Sequence, residues 1–156
     1  MDTVSLPEEF RKAKNAAFQL LKIRNRSEKE IREKLTRKKY AQDIINQTIQ
    51  YLKDVSLIND RQFARDWIQT RLNKPLGVRR IFFELKEKGI SQETLEEEIK
   101  TATASYAEDE VALELGRKRK LKYQNLDEER IKRRVFDYLT RRGFSLESIK
   151  KVINKL

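Results

Sequence analysis

Apolar residues recur every three or four positions along almost the whole chain. Phe63, Ala64, Trp67, Ile68 and Leu72 form one stripe, Val78, Ile81, Phe82 and Leu85 a second, and Ile131, Val135 and Leu139 a third. This spacing places each set on one face of an α-helix, and no convincing alternating run marks a strand. The pattern predicts amphipathic helices throughout.

The helices repeat. Ile31, Leu35, Tyr40, Ile45 and Ile49 align with Ile81, Leu85, Ile90, Leu95 and Ile99 at an offset of 50. They align again with Val135, Leu139, Phe144, Ile149 and Ile153 at a further offset of 54. A preceding helix repeats as well: Ala17, Leu20, Leu21 and Arg24; Ala64, Trp67, Ile68 and Arg71; Ala112, Leu115, Gly116 and Arg119. Self-similarity at this period marks a helical repeat array. The expected fold is all-α, a tandem array of three three-helix repeats over residues 1–56, 57–105 and 106–156, elongated and curved.

Local signals place the helix ends. Ser27-x-x-Glu30 reads as a capping box opening the second helix of the first unit, and Asn59-x-x-Gln62 resembles one at the start of the second unit. Ser91 and Ser145 are N-cap candidates for third helices. Gly89 and Gly143 fall where a second helix needs a left-handed residue to end it. The first unit has Lys39 there, at a cost of about 1 kcal/mol against glycine if the same turn forms. Pro75 and Gly77 bracket the loop between the first two helices of the second unit.

Composition narrows the chemistry. The 156 residues hold no Cys and no His. Cysteine and histidine zinc sites, disulfides, thiol nucleophiles and histidine-based triads are therefore excluded. There is no phosphate-cradling glycine motif, and no metal or cofactor is expected. Glu96, Glu97 and Glu98 are adjacent on a helix, so they splay apart and read as a solvated face, not a chelate. No stretch approaches 18 apolar residues and no apolar leader opens the chain. A soluble, cytoplasmic, monomeric protein that is not an enzyme is expected.

The net charge of +11 points to a polyanionic or acidic partner. Charge is segregated: residues 93–112 hold seven acids against Lys100, whereas residues 113–156 hold fourteen Lys and Arg against six acids. The densest run is Arg117, Lys118, Arg119, Lys120 and Lys122. With Lys132, Arg133, Arg134, Arg141 and Arg142 nearby, it suits phosphates or carboxylates. The plainer alternative is a solvated face that neutralises its acidic neighbours. Arg79 and Arg80 flank Phe83, which lies about 140° from the apolar stripe of its helix. Its counterparts Glu33 and Asp137 are polar. An aromatic ring among arginines on an outward face marks either a contact site or packing against a neighbouring unit. Trp67 sits mid-stripe and is expected in the core. Arg24, Arg71 and Arg119 recur at the stripe edge, as helix anchors or as one lined surface.

Residues Leu57–Ser91 resemble the central repeat of the RecX family, regulators of the RecA recombinase. The matching positions include Asn59, Asp60, Arg61, Phe63, Ala64, Trp67, Arg71, Gly77, Arg80, Glu84, Lys88 and Gly89. The segment carrying Arg24, Arg26, Ser27, Leu35 and Lys38 resembles the first family repeat, and the segment around Gly143 the third. The resemblance spans nearly the whole chain, and Lys39 is its clearest departure. It implies a non-enzymatic protein that binds the groove of the RecA–single-stranded-DNA filament and inhibits ATP hydrolysis, strand exchange and filament growth. Single-stranded DNA alone would be bound more weakly. The residues taken as contacts are Arg24, Arg26, Arg61, Arg71, Arg79, Arg80, Phe83, Lys88, Arg117, Lys118, Arg119, Lys120, Lys122, Arg141 and Arg142. The rival reading is a stand-alone DNA- or RNA-binding helical repeat. Against it, the basic residues concentrate on no single recognition helix.

Overall fold

The capping signals and glycine turns divide the apolar periodicity into the helices observed. A computed structural model describes residues 6–156. Among them are nine α-helices and no strand: α1 (Leu6–Ile23), α2 (Glu28–Arg37), α3 (Gln42–Asp54), α4 (Asp60–Leu72), α5 (Val78–Glu87), α6 (Gln92–Thr103), α7 (Glu108–Lys120), α8 (Glu128–Arg141) and α9 (Leu146–Lys155). A single 3-10 turn, Leu121–Tyr123, follows α7. Ser27 caps α2 in a full capping box: its side chain accepts from the Glu30 N–H, and the Glu30 carboxylate accepts from the Ser27 N–H at 3.1 Å. Asn59, Ser91, Asp127 and Ser145 cap α4, α6, α8 and α9, each side chain accepting from the N–H three residues on. Each cap satisfies an N–H that the first helical turn leaves unpaired.

The helices pack in threes, α1–α2–α3, α4–α5–α6 and α7–α8–α9, and the most extensive helix pairings all lie within these groups. Each group has its own core. Ile31, Leu35, Ile45, Ile49 and Leu52 fill the first; Ile58 joins them from beyond α3. Phe63, Ile68, Ile81, Leu85 and Leu95 fill the second, and Val135, Leu139, Phe144, Ile149 and Val152 the third. Three small cores of about the same composition are what a repeat array provides, because each unit buries its own stripes.

The two joints between units bond equivalent residues, with a hydroxyl donor at one replaced by a backbone N–H at the other. At the first joint the Ser27 hydroxyl donates to the Lys88 carbonyl (2.7 Å), and the Glu28 N–H donates to the Asp60 carboxylate (2.9 Å). At the second joint the Gly77 N–H donates to the Arg142 carbonyl (2.9 Å), and the Val78 N–H donates to the Glu108 carboxylate (3.1 Å). Ser27 and Gly77 are equivalent N-caps of the second helices. Lys88 and Arg142 are equivalent ends of the next second helix. Asp60 and Glu108 both open a first helix, where a carboxylate also meets the positive end of its dipole. A repeated bond set places successive units by a similar movement, so equivalent side chains come into register along the array.

The turns after α5 and α8 have Gly89 and Gly143 at φ 81° and 84°. The turn after α2 forms as well, with Lys39 at φ 65°. A side chain in this left-handed region costs about 1 kcal/mol. Lys39→Gly should therefore raise the unfolding free energy by about 0.5–1 kcal/mol, offset in part by the greater freedom of glycine in the unfolded chain. Urea denaturation of the variant checks this.

Candidate functional site

The register of the units aligns three triads on the second helices: Lys29, Glu30 and Glu33 on α2; Arg79, Arg80 and Phe83 on α5; Arg133, Arg134 and Asp137 on α8. Each triad borders a hollow. The first, of about 410 Å³, is completed by Trp67, Glu84, Glu87 and Lys88. The second, of about 390 Å³, is closed by Thr140, Arg141, Gly143 and Phe144 from the third unit. The third, of about 420 Å³, has Arg119, Tyr123 and Arg141 for its other walls. The triads carry one base and two acids, then two bases and a ring, then two bases and one acid. Positive charge thus grows from the first unit toward the last two.

Neighbouring groups decide which basic residues are free to meet a partner. Arg24 forks onto Glu30 at 2.8 and 3.1 Å, and Lys88 reaches the same carboxylate across the first joint at 2.8 Å. Burial alone raises the Glu30 carboxyl; the bonds from Arg24, Lys88 and the Ser27 N–H outweigh it and hold the group at about 2. Arg71 grips Glu84, which also accepts from the Trp67 indole N–H (3.0 Å) and from Arg80 (3.2 Å). Burial raises the Glu84 carboxyl, and these donors bring it below its ordinary value. Arg61 and Arg65 both bond Glu98 at 2.7 Å, and Arg61 also pairs with Glu97. Two of the three consecutive glutamates therefore tie α6 to α4. Arg26 has its Nε enclosed with no acceptor among the described residues.

Arg24, Arg61, Arg71 and Lys88 are thus engaged inside the molecule, as anchors within and between units. Trp67 is only half-buried: it stacks on Phe63, with the Lys88 ammonium 4.6 Å from its ring centre. Phe83 is 51% exposed, edge-on to Phe82, with the Arg79 guanidinium 5.8 Å from its ring. Arg80 turns its stem onto Gly143, and its guanidinium lies 3.5 Å from the Arg141 carbonyl. The ring thus stands exposed at the cleft between the second and third units.

The basic run of α7 divides. Arg117, Lys118 and Lys122 are exposed, and Lys118 pairs with Glu114. Lys120 donates to the Leu156 backbone oxygen. Arg119 turns toward α8, its guanidinium 4.6 Å from the Tyr138 ring, and bonds the Tyr123 hydroxyl. Arg142 also lies over Tyr138. The run does not form one surface, and Arg119 instead joins Arg133, Arg134 and Arg141 around the third hollow. Tyr123 and Tyr138 are the residues that sequence pattern did not single out. Aligning position 138 with Glu84, at the offset already found, would have exposed Tyr138; Tyr123 lies in the turn after α7 and carried no such signal.

No three potential metal ligands converge among the described residues, and no described helix is long and apolar enough to cross a membrane.

Residues 13–52, 59–98 and 107–153 match, in order, the families described as RecX, first, second and third three-helix domain. The chain is 33% identical over 150 residues to the regulatory protein RecX of Clostridioides difficile, covering 96% of this chain and 70% of that one. It is 30% identical to the regulatory protein RecX of Prosthecochloris aestuarii, covering 94% of each. The crystal structure of RecX from Lactobacillus salivarius superimposes with a TM-score of 0.83 at 26% identity, over 96% of this chain and 97% of that one.

Proposed function

The chain belongs to the RecX family, and on that premise we propose that it regulates the RecA recombinase by binding the RecA–single-stranded-DNA filament. It acts as an inhibitor, suppressing ATP hydrolysis, strand exchange and filament growth by occupying the filament groove. It works in the cytoplasm, as a monomer, by binding and not by catalysis. The observation that carries this reading is that each unit sets a triad on its second helix against a hollow. Equivalent triads recur on α2, α5 and α8. A filament also presents one protomer after another, so contacts at successive units add through high effective concentration. Exposed Phe83 between Arg79 and Arg80 suits the centre of such an interface, where an aromatic anchor contributes most.

The test is the DNA-dependent ATPase of RecA titrated with the protein and with Phe83→Glu. The parent should suppress hydrolysis; no effect at several-fold excess over RecA protomers would sink the reading. Phe83→Glu should keep its helicity and melting, because the ring is half-exposed. It should need about tenfold more protein for half-inhibition, the equivalent of about 1.4 kcal/mol of contact energy. A large fall in stability would show instead that the ring holds the two units together.

The alternative, a stand-alone nucleic-acid-binding repeat, draws on one observation, the arginine-rich hollow of the third unit. Bare oligonucleotide bound as tightly as filament would favour it.

A further inference from the structure

In the second unit Arg71 is neutralised by Glu84. The equivalent pair in the third unit is Arg119 and Tyr138, so the carboxylate is replaced by a ring. Glu87, which borders the first two hollows, is replaced at the equivalent position by Arg141. These two changes, with Asp137 standing where the second unit has Phe83, convert a self-neutralised hollow into one with four guanidiniums, Arg119, Arg133, Arg134 and Arg141, facing a single carboxylate, Asp137. Among the described residues none of these four arginines has a carboxylate within salt-bridge distance.

Two of the guanidiniums also lie over tyrosine rings. Arg119 and Arg134 lie 5.5 and 5.3 Å from the Tyr123 ring centre, and Arg119 also covers Tyr138. The rings help hold these two side chains in place; Arg119 Nε also donates to the Tyr123 hydroxyl (2.9 Å), and the remaining N–H groups are left for an anion. A volume of about 420 Å³ lies within the range of small-ligand sites.

We propose that this hollow on the third unit is a site for single-stranded nucleic acid, taking backbone phosphate on Arg119, Arg133, Arg134 and Arg141 and an unstacked base against the arginine–tyrosine stack. The inference rests on the functional reading above for its class of partner and places nucleic-acid affinity in one unit. Phosphate accounts for the charge, and planar arginine suits it by bidentate contact. The rings distinguish the partner: a single strand offers base faces that stack on aromatic or guanidinium planes. A duplex keeps its bases inside, and an acidic protein surface has no need of the stack.

The experiment is fluorescence anisotropy of a labelled 20-nucleotide oligothymidylate with the full chain, without RecA, across a salt series. The double variant Arg133→Gln/Arg134→Gln should bind at least about tenfold more weakly. If both residues hold phosphates, its log–log salt slope should flatten by about 1.4, at about 0.7 per contact. Lys150→Gln/Lys155→Gln removes the same charge from exposed positions elsewhere on the third unit and should change affinity less than about threefold. Tyr138→Glu, which restores the acid found at Glu84, should weaken binding while keeping all four arginines. Circular dichroism confirms folding, and the arginine pair remains informative if Tyr138→Glu unfolds. Equal losses from both charge-removing pairs would overturn the site in favour of diffuse charge. An unchanged slope and affinity in Arg133→Gln/Arg134→Gln would overturn it outright, as would equal affinity for a duplex of the same length. If that variant binds oligothymidylate normally but no longer inhibits the RecA ATPase, the hollow meets protein. The regulatory reading would then stand without this inference.

Discussion

Gly77→Ala should uncouple the second and third units, at a cost of about 2–3 kcal/mol, the upper part of the range for overpacking a tight site. A methyl group at Gly77 would fall inside van der Waals contact of the Gly143 carbonyl and the Phe144 nitrogen. All three atoms are backbone, so no side chain can swing aside. The joint would have to open, and the bonds from the Gly77 N–H to the Arg142 carbonyl and from the Val78 N–H to Glu108 would go with it. The cores of the two units lie elsewhere and should survive. The expected result is a melting curve that broadens or splits, with hydrogen exchange accelerated at Gly77 and Val78 and little changed at Leu85 and Leu139. In a repeat array, loss of a neighbour interface lowers cooperativity before it unfolds a unit. An unaltered single transition would show that the joint yields more easily than its close backbone contact implies. The variant should also inhibit RecA less well, because the hollow holding Phe83 is closed by the third unit.

Glu30→Gln should loosen the first joint, by about 2 kcal/mol after allowing for solvent screening. One carboxylate there completes the α2 capping box, receives the Arg24 fork and receives Lys88 from the second unit. The neutral amide keeps the shape and loses the charge. The same loss should appear on acidification. Glu30 is held at about 2 in the folded protein against an ordinary value of 4.5. A lowered carboxyl stabilises the fold fully above its unfolded value, and that stability drains away as pH falls from about 4.5 toward about 2. Asp60 opposes this in part, since burial raises its carboxyl and protonation relieves the cost. Parent and variant should therefore converge in stability between pH 4.5 and pH 2, and differ most near neutrality. A constant difference across that window would assign the effect to something other than the charge of Glu30.

Much of the fold was legible along the chain. The stripes through Ile31, Ile81 and Val135, the caps at Ser27, Ser91 and Ser145, and the glycines at 89 and 143 all appear in their expected roles. The repeat offset also located the turn at Lys39, which forms without glycine. The contact residues were less legible. Arg24, Arg61 and Arg71 look like a basic lining in sequence, but in the folded molecule they are occupied by Glu30, Glu98 and Glu84. Trp67 sits mid-stripe, yet its indole N–H needs an acceptor, and Glu84 holds it at the half-buried edge of the core.

The residues along the chain determine the helices, their ends and their threefold repetition, because hydrogen bonds four residues apart and burial on one helical face are short-range properties of successive side chains. Which charges remain free was decided only by the tertiary structure. Arg71 finds its acid thirteen positions away, Arg61 thirty-seven, and Lys88 fifty-eight. A charge takes whatever opposite charge the fold brings within a few ångströms, and one-dimensional spacing carries no record of that distance. Arg119 is as basic as Arg71 in sequence, and it is left without a carboxylate only because packing sets it against Tyr138.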